Sequence, residues 1–209
     1  MEDHALARRA LGALDGQLIG AMLEKGRQVV VPGGVELLSE GAYVKELPIV
    51  LDGLVRVYIG HEEKELLLYY IQPAESCVMS FSAVLGRSPS RINAVTERET
   101  RLLLLPEGEV RGWLRDHPSF AELMFRLYHE RYEDMLHTVE QVAFGDLPTR
   151  LVEHLERLML VNGTEWLDIR HSRLAQELGS AREVITRTLR KLERDGRLEI
   201  GPKGLRVKR

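Results

Sequence analysis

The chain changes its hydrophobic rhythm along its length, and each rhythm predicts a different kind of element. Between residues 5 and 24, Leu6, Leu11, Leu14, Leu18 and Met22 fall at helical spacing interrupted by Gly12 and Gly16, which predicts one or two short helices. From Arg27 to about Leu105 the apolar residues bunch into strand-length runs: Val29 to Val31, Ile49 to Leu51, Leu54 to Ile59, Leu66 to Ile71 and Leu102 to Leu105. Turn signals separate them, among them Pro32-Gly33-Gly34, Glu40-Gly41, Asp52-Gly53, Gly60, Pro73 and Gly86-Arg87-Ser88-Pro89. Asp52-Gly53 between two apolar runs predicts a hairpin. Frequent short strands with no long helix between them predict an antiparallel barrel or roll.

At Pro118 the period turns helical and stays so for nearly thirty residues, with Phe120, Leu123, Met124, Leu127, Tyr128, Arg131, Met135, Thr138, Val139 and Val142 on one broad stripe. A stripe that wide can pack on its own domain and on a second copy of the same helix, as a two-stranded coiled coil does. Met124, Leu127, Arg131, Met135, Thr138 and Val142 are the candidate dimerisation residues. The pattern breaks at Gly145-Asp146-Leu147-Pro148, a predicted hinge where Asp146 caps a new helix and Pro148 sits in its first turn. That helix carries Leu151, Leu155, Leu158 and Met159 to Asn162-Gly163, and a short strand is predicted near Trp166 to Ile169.

The segment from His171 to Arg190 predicts a helix-turn-helix. Leu174, Ala175 and Leu178 keep helical spacing, Gly179 is a stop signal, and Ser180 with Glu183 forms an S-x-x-E capping box that restarts a helix. In the second helix Val184, Ile185, Thr188, Leu189 and Leu192 supply a buried face, leaving Arg182, Glu183, Thr186, Arg187 and Arg190 outward. Arginine donates two hydrogen bonds to guanine, glutamate accepts from cytosine, and threonine suits a base or a phosphate, so this face is a candidate for base reading in a major groove. The C-terminus, Leu198 to Val207, predicts a hairpin or wing with Lys203 at its tip, placed to touch a nucleic-acid backbone.

Charge sharpens this picture. From Arg170 to Arg209 there are twelve basic and five acidic residues, a balance of +7, while the rest of the chain carries −10. A basic C-terminal segment on an acidic body is the layout of a DNA reader joined to a partner domain. The alternative is a small-ligand or cyclic-nucleotide sensor acting through protein partners, for which so basic a segment is unnecessary. Steep salt dependence of duplex binding separates the two. The architecture expected is α+β: an N-terminal β-roll with short helices over residues 1–117, a dimerisation helix over 118–144 and a winged helix-turn-helix over 145–209.

With these elements in place the sequence resembles the Crp/Fnr family of bacterial transcription regulators. The resemblance rests on L-A-Q-E-L-G-S-A-R-E-V-I-T-R-T-L-R-K-L-E-R-D-G-R-L with its R-E-x-x-x-R core. It extends to P-I-V-L-D-G-L-V-R-V-Y from Pro48, L-L-Y-Y-I-Q-P-A-E-S-C, and the long helix before D-L-P-T-R-L. It implies a homodimer with a cyclic-nucleotide-binding-like roll, of double-stranded β-helix or jelly-roll type, and sequence-specific binding to a two-fold symmetric site on double-stranded DNA. RNA polymerase is an implied partner. Arg182, Glu183 and Arg187 would read bases, Thr186 would fill the variable place between them, and Ser180 would contact phosphate.

In cyclic-nucleotide-binding members a Gly-Glu-Leu loop and a later Arg-Ser or Arg-Thr hold the ribose and the cyclic phosphate. Here Pro73-Ala74-Glu75-Ser76-Cys77 and Ser90-Arg91-Ile92 stand in those places, with Gly replaced by Ala74 and the hydroxyl by Ile92. Glu75, Ser76, Cys77, Ser90 and Arg91 are therefore the candidate effector residues. The half-kept set weakens the case for a cyclic nucleotide, and a plain Glu75–Arg91 ion pair at the mouth of the roll is an equal alternative. One cysteine excludes a four-cysteine iron-sulfur cluster and an internal disulfide. None of the seven histidines, His4, His61, His117, His129, His137, His154 and His171, is marked as a haem ligand, and none pair at metal spacing. Cys77 sits among apolar residues, which predicts a buried, inert thiol. There is no nucleotide-binding glycine loop or nucleophile motif, so no enzyme activity is expected. Without an apolar run near twenty residues or a secretory h-region, the expected location is the cytoplasm, with no membrane partner.

Overall fold

A computed structural model describes residues 2–61, 64–144 and 146–208, excepting the side chains of residues 2–4, 61, 64, 137, 138 and 140–144. Two helices open the chain, α1 (Glu2–Ala10) and α2 (Gly16–Lys25), the second capped by Asp15 accepting from the Leu18 N–H. Seven strands follow: β1 (Arg27–Val31), β2 (Glu36–Leu38), β3 (Glu46–Asp52), β4 (Val55–His61), β5 (Lys64–Ile71), β6 (Asn93–Thr96) and β7 (Thr100–Pro106). Between β5 and β6 lies α3 (Val78–Gly86), and after β7 come α4 (Glu107–Asp116) and the long α5 (Pro118–Phe144). The chain ends with α6 (Leu147–Asn162), α7 (His171–Glu177), α8 (Arg182–Arg194) and the hairpin β8 (Leu198–Gly201) and β9 (Gly204–Val207).

The seven strands form two antiparallel sheets, in the orders β1-β7-β3 and β2-β6-β4-β5, the jelly-roll-like arrangement expected. One expectation fails here. Asp52-Gly53 is not a hairpin turn, because β3 pairs with β7 and β4 with β6, so the chain crosses from one sheet to the other at this point. Gly53 is needed for the crossing: it has φ +106, and a Cβ on it would lie 2.6 Å from Thr100 Cα. Hydrophobic runs alone could not show the difference, since both sides of the turn are apolar. The helices α3 and α4 and the short strands β2 and β6 were also not anticipated.

Alternation along β3 and β7 gives the first sheet two apolar faces. Leu47, Ile49, Leu103 and Leu105 are fully buried on one face, where Leu103 pairs with Ile49 and Leu105 with Leu47 and α1, α2 and α4 pack against these strands. Pro48, Val50, Leu102 and Leu104 occupy the other face and line a cavity inside the roll. The first half of α5 joins the same core through Phe120, Leu123, Met124 and Leu127. Phe120 makes edge-to-face contacts with Phe81 and Trp113, both at 6.4 Å, and its loss would cost about 3–5 kcal/mol.

The contacts divide the chain into two units, one of Met1–Ile59 and Leu68–Met135, the other of Gly60–Leu67 and Leu136–Arg209. In the second unit Asp146 caps α6 by accepting from the Thr149 N–H at 2.9 Å, and Gly163 at φ +61 ends that helix. Gly145, the first residue of the predicted hinge, lies outside the described residues. The strand predicted near Trp166 is reduced to a single bridge, Leu167 to Leu205.

Candidate nucleic-acid interface

The corner between α7 and α8 forms as the sequence predicts, with one change in detail. Leu174, Ala175 and Leu178 are buried, and Gly179 at φ +61 turns the chain. The capping box does not form. Helix α8 starts at Arg182 with Ala181 at its N-cap and no side-chain cap, while the Ser180 N–H donates to the Ala175 carbonyl at 2.8 Å. That bond closes the end of α7, so Ser180 belongs to the turn rather than to the new helix.

Ile185, Thr188, Leu189 and Leu192 bury one face of α8, with Val184 half-buried beside them. Arg182, Glu183, Arg187 and Arg190 are exposed on the helix, and Lys203 is exposed in the turn of the β8–β9 wing. Neither the three arginines nor Lys203 forms an ion pair among the described residues. Some other cations of this unit are committed. Arg206 pairs with Glu199 at 2.6 Å and lies over the Trp166 ring, and Arg150 donates to the Leu178 carbonyl at 3.0 Å.

Thr186 differs from its neighbours. It is half-buried, and its hydroxyl donates to the Arg182 carbonyl at 2.9 Å while lying 2.9 Å from His171 Nδ1. The hydroxyl proton is thus used within the domain and is not available to a base or phosphate.

Beneath the corner lies a buried ionic cluster that sequence reading missed. Glu177 accepts from His154 Nε2 at 2.7 Å and Arg173 Nε at 2.8 Å, with only 1% of its side chain exposed. Burial pushes the Glu177 carboxyl up, but the hydrogen bonds and charges of His154 and Arg173 outweigh it and hold the group below its ordinary value. The cluster ties α6 to α7. The available signal was the Arg173–Glu177 spacing, an opposite-charge i,i+4 pair flanking buried Leu174 and Ala175.

In the roll, the candidate effector residues are mostly satisfied internally. The Glu75 carboxylate accepts from the Gln72 N–H at 2.9 Å and lies 3.4 Å from Arg131 Nη2, so its partner is Arg131 and not the exposed Arg91. Burial pushes Glu75 above its ordinary value despite these two groups. Ser76 donates to the Pro48 carbonyl at 2.7 Å, and Ser90 to the Ile92 carbonyl at 2.8 Å. Cys77 is 1% exposed and accepts from the Ser80 N–H, which agrees with a buried thiol. Ala74 takes φ +72, a conformation that glycine adopts without strain.

The dimerisation residues also need correction. Met124 and Leu127 are 2% and 3% exposed inside the first unit, and Arg131 is pinned by Glu75, by Asp134 at 3.0 Å and by the Tyr69 ring. Met135 is exposed, whereas the side chains of Thr138 and Val142 lie outside the described residues. The exposed apolar stripe of α5 is Phe125, Tyr128, Tyr132, Met135 and Val139, a three-four-three-four spacing displaced by one residue from the N-terminal part of the predicted set. One residue is about 100° of helix, enough to exchange the core-facing side for the open one.

Comparison with known proteins shows what the chain is similar to. Residues 149–209 match the Crp-like helix-turn-helix domain. The chain is 22% identical over 214 residues to a CRP-like cAMP-activated global transcriptional regulator of Mycobacterium tuberculosis, covering 98% of this chain and 95% of that protein. Residues 149–209 are thus a Crp-like helix-turn-helix domain, and the chain as a whole is similar to transcription regulators of the Crp/Fnr type. The chain is also 25% identical over 180 residues to a cyclic AMP receptor protein of Thermus thermophilus, covering 85% of this chain and 82% of that protein. The fold is shared with the c-di-GMP responsive global regulator of Xanthomonas campestris, at a TM-score of 0.81 and 20% identity over 93% of this chain and all of the other. The fold shared with that regulator therefore spans residues of both units described here.

Proposed function

We propose that the chain is a transcription regulator of the Crp/Fnr type, acting as a homodimer that binds a two-fold symmetric DNA site through α8, with Arg182, Glu183, Arg187 and Arg190 facing base edges and Lys203 of the wing facing the backbone. The observation that carries this reading is the uncommitted state of the α8 cations on a helix whose opposite face is locked into the core. Exposed arginines without internal partners pay little desolvation cost on meeting phosphates and guanines. Thr186 contributes through position and shape, since its hydroxyl is already bonded. Ser180, half-buried in the preceding turn, stays a phosphate contact in this reading.

The second copy follows from α5. A stripe of Phe125, Tyr128, Tyr132, Met135 and Val139 repeats at the interval that aligns two supercoiled helices, and such an apolar seam is costly to leave in water. Two protomers would present two α8 helices to half-sites about one DNA turn apart. The roll is the input side, where an effector biases the pair, and RNA polymerase is the expected protein partner. The described residues include no helix long and apolar enough to cross a membrane, and the cytoplasm is the compartment we assign.

Selection of duplexes from a random pool, followed by binding at several salt concentrations, tests the proposal. A palindromic consensus and a steep fall in affinity with salt are expected. Binding without sequence preference, or without salt dependence, would overturn it. Sedimentation of the wild type and of Tyr132→Glu tests the seam: a dimer that becomes a monomer is expected, and a wild-type monomer at micromolar concentration contradicts it.

A further inference from the structure

The roll encloses a cavity of about 460 Å³ between its two sheets, within the size range of small-molecule sites. Val29, Val50 and Leu102 of the first sheet and Leu38, Val55 and Ala94 of the second line its wall. Cys77 and Ser80 add a thiol and a hydroxyl to the wall. Several of these side chains, Val29 and Leu38 among them, are only half-buried although they face the interior, so the two sheets do not close on one another. An apolar space of this size offers dispersion contacts to a hydrocarbon body that enters it.

The charged groups of the cavity are confined to its mouth. Arg27 there is gripped by Glu46 through hydrogen bonds at 2.9 and 2.6 Å. Among the described lining residues that leaves Lys45, which is exposed, as the cation available to a ligand. Nothing deeper matches a sugar phosphate. Of Glu75, Ser76, Cys77, Ser90 and Arg91, only Cys77 reaches the wall, while Glu75, Ser76 and Ser90 spend their polar atoms on the protein itself. Placing a ribose and a phosphate here would strip their water without replacing it.

We infer that this cavity binds an apolar monocarboxylate, a molecule with a hydrocarbon or aromatic body enclosed by the two sheets and one anionic end at Lys45. The inference rests on the reading of the roll as the input side and names the chemical class of what it receives. An apolar body packs against the side chains of both sheets, and the single charged end stays at the rim, where water still reaches it.

Calorimetry on the full-length protein without DNA tests this, with decanoate, decan-1-ol and cyclic AMP as probes. Decanoate should bind, and Lys45→Ala should weaken it by roughly fivefold to tenfold while leaving decan-1-ol unchanged. Val29→Phe, which fills the cavity with a ring, should weaken both by more than about tenfold, and Leu104→Phe serves as a second filling variant should the first fail to fold. Tighter binding of cyclic AMP than of decanoate, no binding of either decyl compound, or undiminished binding in a folded filling variant overturns the inference. Duplex binding is measured on the same preparations. Loss of the ligand result with DNA binding intact removes only the ligand class, whereas a folded protein that binds no DNA removes the regulator reading.

Discussion

The polar side chains of α8 and those of the loops around α3 are both candidates for binding, yet they differ in what remains for a ligand. On α8, Arg182, Arg187 and Arg190 are exposed with no ion pair among the described residues. Around α3, Glu75 is held by Arg131 and the Gln72 N–H, and Ser76 and Ser90 are bonded to carbonyls. Charged groups left in water can be exchanged onto a partner cheaply, whereas groups already paired in a partly buried site must first give up a bond. The first set is suited to recognition and the second to structure, although a reading of residue types ranks them alike.

The strongest way to break this comparison is to remove the support beneath α8. Glu177→Ala should destabilise the C-terminal unit by about 3–5 kcal/mol in urea unfolding, because it leaves His154 and Arg173 without their buried acceptor. A loss below about 1 kcal/mol would show the cluster to be dispensable. The same carboxylate sets a pH dependence. Since its folded value lies below the ordinary glutamate value, its stabilisation is complete above that ordinary value and disappears as pH falls through the lowered one. Acid should therefore unfold the wild type earlier than neutral pH predicts, and a Glu177→Gln variant should show a flatter profile.

A smaller effect separates the two arginines near the candidate effector loops. Arg131→Ala should cost about 1.5–3 kcal/mol of stability by stranding Glu75, whereas Arg91→Ala should stay within about 0.5 kcal/mol. Equal losses would mean that the loops are not satisfied in the way described. On α8 the signs reverse. Arg187→Ala should leave unfolding unchanged but cost about 1–3 kcal/mol in affinity for a selected operator and relax preference at one base position. Unchanged operator affinity would remove this helix from recognition. The smallest effect concerns Ala74 at φ +72, where Ala74→Gly should raise stability by about 1 kcal/mol, visible as a higher thermal midpoint.

Local chemistry was legible in the sequence wherever one residue's neighbours along the chain decide its role. The buried face of α8, the stop at Gly179, the Asp146 cap and the β8–β9 wing all follow from spacing within a few residues. What required the third dimension was hidden. Asp52-Gly53 has hairpin chemistry but feeds strands that pair elsewhere, because pairing is chosen by residues fifty positions away. Ser180 and Glu183 have capping-box spacing, yet the turn takes Ser180 for closing α7. The stripe on α5 was recognised but assigned to the wrong side at Met124 and Leu127, since the roll's Phe81 and Trp113 determine which face is covered. Glu75 was found, and its partner was not, because Arg131 lies on another element entirely.

The order of pairing in the first sheet bears on how the chain is made. Among the described residues strand β1, Arg27–Val31, has its only sheet neighbour in Thr100–Leu104, so it leaves the ribosome long before the strand that completes it. At about 5–20 residues per second, the apolar Val29 to Val31 run waits on the order of 4 to 14 seconds for its partner. The first unit is thus built from distant contacts and closes late, which predicts slow refolding and dependence on chaperones at high expression. By contrast α7, α8 and the wing are joined by neighbours in sequence, and they complete their fold almost as soon as they are synthesised.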